Sequence, residues 1–127
     1  MGIVRLEHVQ LAMPAGREPE AVAFYEGVLG LAQQEKPPHL AVRGGCWFGD
    51  GAVRIHLGVE AEFRPARKAH PALRVDDLDE LAGRLEAAGH PVRDEGGLDG
   101  FRQRYVDDPF GNRIELLEPI GDISSPS

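Results

Sequence analysis

Three histidines and one glutamate, His8, His56, His70 and Glu115, are the residues whose types and spacing could do chemistry. Imidazole nitrogen and carboxylate oxygen together suit a borderline divalent cation: zinc, nickel, cobalt, manganese or iron(II). Their spacing separates them from scattered donors. His56 lies in Val53-Arg54-Ile55-His56-Leu57-Gly58, and Glu115 in Asn112-Arg113-Ile114-Glu115-Leu116-Leu117. Both stretches contain Arg-Ile-X-Leu, with the donor at X. His8 and His70 are 62 residues apart, and His56 and Glu115 are 59 apart. Donors matched in this way point to one supersecondary unit carried twice.

Positioning the donors calls for two βαβββ units. Residues 3–12 alternate as a strand, and Pro14-Ala15-Gly16 marks a turn. Residues 19–29 read as a helix, with Pro19 at its start, Ala21, Phe24, Tyr25 and Val28 at helical spacing, and Gly30 just past its end. Strands are predicted near 39–43, 46–48 and 52–58, separated by Gly44-Gly45 and Gly49-Asp50-Gly51. The second half repeats the order. A short strand over 70–75 precedes a helix opened by Asp77 and Glu80 as a capping box. Leu78, Leu81, Leu85 and Ala88 give that helix an apolar stripe, and Gly89 ends it. Strands follow near 91–94, 101–107 and 113–118, and Asp108-Pro109-Phe110-Gly111-Asn112 is the last turn.

A helix covers one face of each unit's sheet, so the other face must curl around something. Two units make an α+β fold with a curved eight-stranded half-barrel, whose first and last strands carry the four donors to the concave side. The expected organisation is a single domain over 1–120, with repeats of about 3–58 and 70–119 and a linker of about 59–69. Residues 121–127, small and polar, form a tail expected to fray.

The bulk properties narrow the partners. A net charge of -7 without a basic stripe argues against nucleic acid. The one basic cluster, Arg64-Pro65-Ala66-Arg67-Lys68, is short and reads as a solvated linker. No apolar run is long enough to span a bilayer, and the first ten residues lack a signal pattern. The single cysteine, Cys46, excludes an intrachain disulfide and fits a reducing cytosol, so a cytoplasmic location is expected. Cys46 itself reads as a small buried residue rather than a nucleophile. His39 and His90 fall outside the repeat correspondence and read as solvated.

The stretches LEHVQLAMP, FYEGVLGL, HPALRVDDLDEL and above all YVDDPFGNRIELLEP resemble the vicinal oxygen chelate superfamily. That superfamily holds glyoxalase I, methylmalonyl-CoA epimerase, fosfomycin-resistance transferases, extradiol dioxygenases and bleomycin-binding proteins. The likeness covers about residues 3–119. It implies the glyoxalase/bleomycin resistance/dioxygenase fold and one divalent metal ion held by His8, His56, His70 and Glu115. Glyoxalase I and the epimerase fill all four positions. The transferases and dioxygenases use the equivalents of His8, His70 and Glu115, and the bleomycin-binding members have no metal set. Histidine at position 56 departs from the carboxylate or amide usual in glyoxalase-type enzymes. Glu115, the only carboxylate of the set, would serve as ligand, base or both by turns. Trp47 and Tyr105 are candidates to line a substrate cup.

Three functions stay open on this reading. The first is a metal-dependent lyase or isomerase that chelates two oxygens of a small molecule and stabilises an enediolate or oxyanion. Glutathione is a poor fit to it, because Glu60, four residues beyond His56, would repel a carboxylate. The second is a non-catalytic drug- or ligand-binding protein, whose acidic balance would attract a cationic antibiotic. The third is an iron(II) extradiol dioxygenase-like enzyme, in which His56 would occupy a position that substrate needs. The resemblance also implies a homodimer. The site is then formed within one chain or across a repeat-exchanged pair.

Overall fold

The computed structural model describes residues 1–121; the expected tail therefore lies, beyond Gly121, outside the described residues. The chain divides into two compact units, Met1–Ala66 and Arg67–Ser127, with the boundary inside the expected linker.

The first unit runs β1 (Val9–Met13), α1 (Glu18–Val22), a π-helix (Ala23–Val28), β2 (Gln33–Gln34), α2 (Pro38–Ala41), β3 (Cys46–Phe48) and β4 (Ile55–Val59). The second runs β5 (Ala72–Arg74), α3 (Leu78–Ala87), β6 (Val92–Arg93), β7 (Phe101–Asp107) and β8 (Arg113–Pro119). Each unit holds a four-stranded mixed sheet, ordered β1-β4-β3-β2 in one and β5-β8-β7-β6 in the other. In both, the first strand lies parallel to the last, and the remaining pairs are antiparallel. The registers repeat as well. Gln10 stands opposite His56, and Ala72 opposite Glu115, so the parallel pairs keep the offsets of the matched donors.

Alternation along the strands sets the core. In the first unit Leu11, Met13, Cys46, Phe48, Ile55 and Leu57 are buried with Ala21, Phe24 and Tyr25 of the helical segment. Tyr25 stacks on Phe48, with ring centroids 5.2 Å apart. In the second, Leu78, Leu81 and Leu85 of α3 are buried together with Val106, Ile114 and Leu116. Asp77 caps α3 by accepting the Glu80 amide at 3.1 Å, and Gly89 follows the helix with φ +89. Ala88 lies at the C-cap and is exposed, outside the apolar stripe.

Three expectations need correction. The first strand begins at Val9, not residue 3. Its partner β4 starts only at Ile55 because Gly51-Ala52 turn the chain, so residues 3–7 have no strand to pair with. Ile3, Val4 and Leu6 are exposed there. The helix over 19–29 widens after Val22 into a π-helix, with the Leu29 amide bonding the Phe24 carbonyl at 2.9 Å. Wider turns let consecutive aromatics, Phe24 and Tyr25, both reach the core. The segment near 39–43 is one helical turn, not a strand. Pro37 and Pro38 sit at its N-cap and first position, and the Leu40 and Ala41 amides bond the Pro37 carbonyl at 2.9 Å.

The turn at Asp108–Asn112 sets the β7–β8 register. Asp108 Oδ1 accepts the Phe110 and Asn112 amides, and Oδ2 accepts Asn112 Nδ2, each at 2.9 Å. Both side chains are buried, and Gly111 takes φ +93. The result is Tyr105 opposite Glu115. Removing the acceptor strands buried donors. Asp108→Ala is expected to cost about 2–3 kcal/mol, read as a lower urea midpoint at unchanged slope.

Candidate functional site

The first-unit half is a stack of three rings. His8 lies one residue before β1, and His56 points from β4 to the sheet face opposite Ile55 and Leu57. Their ring centroids are 4.0 Å apart, with planes at 16°. Trp47, opposite His56 in the β3–β4 register, stacks on it at 4.3 Å and 9°. Burial pushes the His56 pKa down from 6.5, and the neighbouring His8 pushes it the same way. His56 is therefore held neutral, the form that offers a lone pair to a metal. Beside the stack is a cleft of about 260 Å³ lined by Gln10, Lys36, Leu40, Arg43, Trp47 and Gly58. Gln10 lies over Gly58, where a Cβ would come within 2.6 Å of its Nε2 and the flexible Gln10 side chain would have to shift.

The second-unit half is a polar network. His70 precedes β5, and its Nε2 lies 2.8 Å from Glu115 Oε1. Nδ1 lies 2.8 Å from the Lys68 carbonyl, an acceptor that fixes the ring and leaves Nε2 turned to Glu115. Ligands bonded at 2.0–2.2 Å to a tetrahedral or octahedral ion stand roughly 3 Å apart, so this pair needs only a small opening to share one. Gln103 Nε2 donates to Glu115 Oε2 and, at 3.2 Å, to the Tyr105 hydroxyl. The Tyr105 ring meets His70 edge-on at 5.7 Å, and the Arg113 guanidinium sits 4.0 Å above it.

The sequence-derived site residues thus gather as two sets: His8, His56 and Trp47 in one unit, His70, Glu115 and Tyr105 in the other. Among the described residues no three His, Cys, Asp or Glu side chains form a metal-holding group. Gln103 was missed by sequence reading. It is buried, and it fixes the outer oxygen of Glu115. Its signal was parity: Gln103 and Tyr105 share a strand face two residues apart, but only a known register shows which face that is.

The family model described as Glyoxalase/Bleomycin resistance protein/Dioxygenase superfamily matches residues 5–116, nearly the whole chain. The chain belongs to this superfamily. A glyoxalase family protein from Bacillus anthracis is 45% identical, with a TM-score of 0.88, over 94% of this chain and 98% of its own. TnmS3, an antibiotic binding protein from Streptomyces sp. CB03234, is 24% identical, with a TM-score of 0.72 over 94% and 98%. The fosfomycin resistance protein FosX from Listeria monocytogenes is 18% identical, with a TM-score of 0.71 over 98% and 96%. These last two share the superfamily fold. No curated protein matches the chain. No helix among the described residues is long and apolar enough to cross a membrane.

Cys46 lies beside Trp47 on β3, buried on the core side of the sheet. Burial raises its thiol pKa, and Glu18 adds to the effect. Both reduce the thiolate fraction. Cys46 is expected to resist alkylation by iodoacetamide in the folded protein at pH 8 and to react fully once the chain is unfolded in urea, as counted by mass spectrometry.

Proposed function

We propose that this superfamily member is a divalent-metal-dependent lyase or isomerase acting on a small molecule, with His8, His56, His70 and Glu115 as the ligands of one ion. The observation that carries the reading is the matched pairing of donors. In one unit an imidazole stands just before the first strand and another near the start of the last, and in the other unit an imidazole and a carboxylate stand at the matching places of the parallel pair. The residues fit the group: His56 is held neutral, and the Lys68 carbonyl orients His70 through Nδ1. A bound ion would act as a Lewis acid toward two adjacent substrate oxygens and stabilise an enediolate or oxyanion.

The chain's own residues supply the rest. Gln103 holds Glu115 Oε2, so Oε1, facing His70, is the oxygen that would serve as ligand, base or both by turns. Tyr105 and Trp47 wall the two halves with aromatic faces. The reading requires both donor pairs to meet on one ion, within a chain or between the subunits of a homodimer. Exposed Ile3, Val4 and Leu6 beside His8 favour the homodimer, because a second chain would cover them.

A non-catalytic ligand binder is the competing reading, and the Trp47 cleft favours it, since an aromatic wall serves capture without chemistry. Metal content separates the two. Protein purified without chelators is expected to carry about one divalent ion per four-donor set, by plasma mass spectrometry. His8→Ala combined with Glu115→Ala is expected to remove it. Wild-type protein that neither carries metal nor gains it from added zinc, nickel or manganese would favour the binder; metal retained by the double variant would rule out the four-donor site.

A further inference from the structure

Beyond the donor pairs, the second unit has a cleft of about 300 Å³ lined by Arg67, Arg93, Glu95, Asp107 and Arg113. Its charge is opposite to that of the chain. Three guanidinium groups face two carboxylates, giving a local excess of positive charge on a protein of net charge -7. The carboxylates are already engaged. Arg93 Nε bonds Glu95 at 2.7 Å, and Arg93 Nη2 bonds Asp107 at 3.0 Å. Arg113 Nη2 bonds Glu95 at 3.1 Å and Nη1 the Arg67 carbonyl at 3.4 Å.

Two donor groups are left over. Arg113 Nε is buried without a hydrogen-bond partner, a state that costs free energy unless an acceptor arrives. The Arg67 guanidinium has no ion-pair partner among the described residues, although its carbonyl accepts from Arg113. The basic stretch over 64–68 is therefore more than a solvated linker, since one of its arginines lines this cleft. Guanidinium groups with free N–H donors are the usual means of holding an oxyanion, by paired charge-assisted hydrogen bonds.

The cleft also adjoins the candidate site. Arg113 and Glu115 are two residues apart on β8 and share a face. Asp107 stands opposite Arg113, and Arg93 opposite Tyr105, which itself stands opposite Glu115. Arg113 lies over Tyr105, whose other contacts are His70 and Gln103. We propose that the Arg67–Arg93–Arg113 cleft binds an oxyanion, the carboxylate or phosphate group of a small anionic substrate, and so selects anionic molecules. That the anion belongs to the substrate rests on the metal-dependent reading above; that the cleft binds an anion does not.

The test uses the full chain stripped of metal by a chelator, so that no ion can attract the probe. Arginine Nε–H and backbone amide resonances are followed by NMR during titration with inorganic phosphate and, separately, acetate. Equal ionic strength of sodium chloride is the reference. Saturable shifts at Arg113 Nε–H and around Arg67 are the expected result with at least one probe, and the stronger probe identifies the oxyanion class. Arg67→Gln, which breaks no ion pair in the fold, is expected to weaken binding by about tenfold, the loss of one charge-assisted contact. Shifts that chloride reproduces, or affinity unchanged in Arg67→Gln, would overturn the proposal. Either result would leave the metal measurement untouched, so the two readings fail separately.

Discussion

The pairing of each unit's first strand with its last is the constraint on which the rest of the structure depends. Parallel neighbours cannot be joined by a tight turn, so helix and intervening strands must all fit between them. The chain spends 41 residues between β1 and β4 doing so, and 38 between β5 and β8. In return, residues far apart in sequence become neighbours. His8 meets His56, and His70 meets Glu115, because strand ends are in register and side chains alternate. A one-residue slip of β4 or β8 would turn His56 or Glu115 into the core and expose Ile55 or Ile114. Core burial and donor placement are thus one condition, and the Asp108–Asn112 turn enforces it at β8.

The two halves carry different physics on the same frame. In the first unit, the His56 ring stacks between His8 and Trp47, and burial with the neighbouring His8 lowers its pKa. In the second, a carboxylate is held by an imidazole on one oxygen and an amide on the other, with guanidinium groups beyond Tyr105. Imidazoles on one side and the single carboxylate on the other would, in the proposed site, leave a divalent ion residual positive charge for a substrate oxygen. The cationic cleft lies on the polar half, where an anionic substrate would be guided despite the acidic surface elsewhere.

Much of this was legible in the sequence because the repeat made each half a check on the other. Arg-Ile-X-Leu occurs twice, and the observed registers carry the same offsets as the donors. Strong local signals also held: the Asp77 cap, the Gly89 stop, and strands β7 and β8. Where local and tertiary preferences conflict, the reading failed. His39–Arg43 reads as a strand by composition, yet the two prolines before it start a helical turn that takes in His39–Ala41. Residues 3–7 alternate well but have no partner strand. Nothing in a single sequence marks a π-helix. Gln103 and the arginine cleft depend on register and on side chains meeting from residues 67, 93 and 113, which spacing alone does not bring together.

X-ray absorption at the metal edge of zinc- or cobalt-loaded protein tests this most directly, because it counts the scatterers around the ion. Three imidazole rings and one carboxylate oxygen, falling to two rings in a His56→Ala variant, are the expected result. A first shell without imidazole scattering, or one that His56→Ala leaves unchanged, would contradict the sharing of one ion by the two donor pairs.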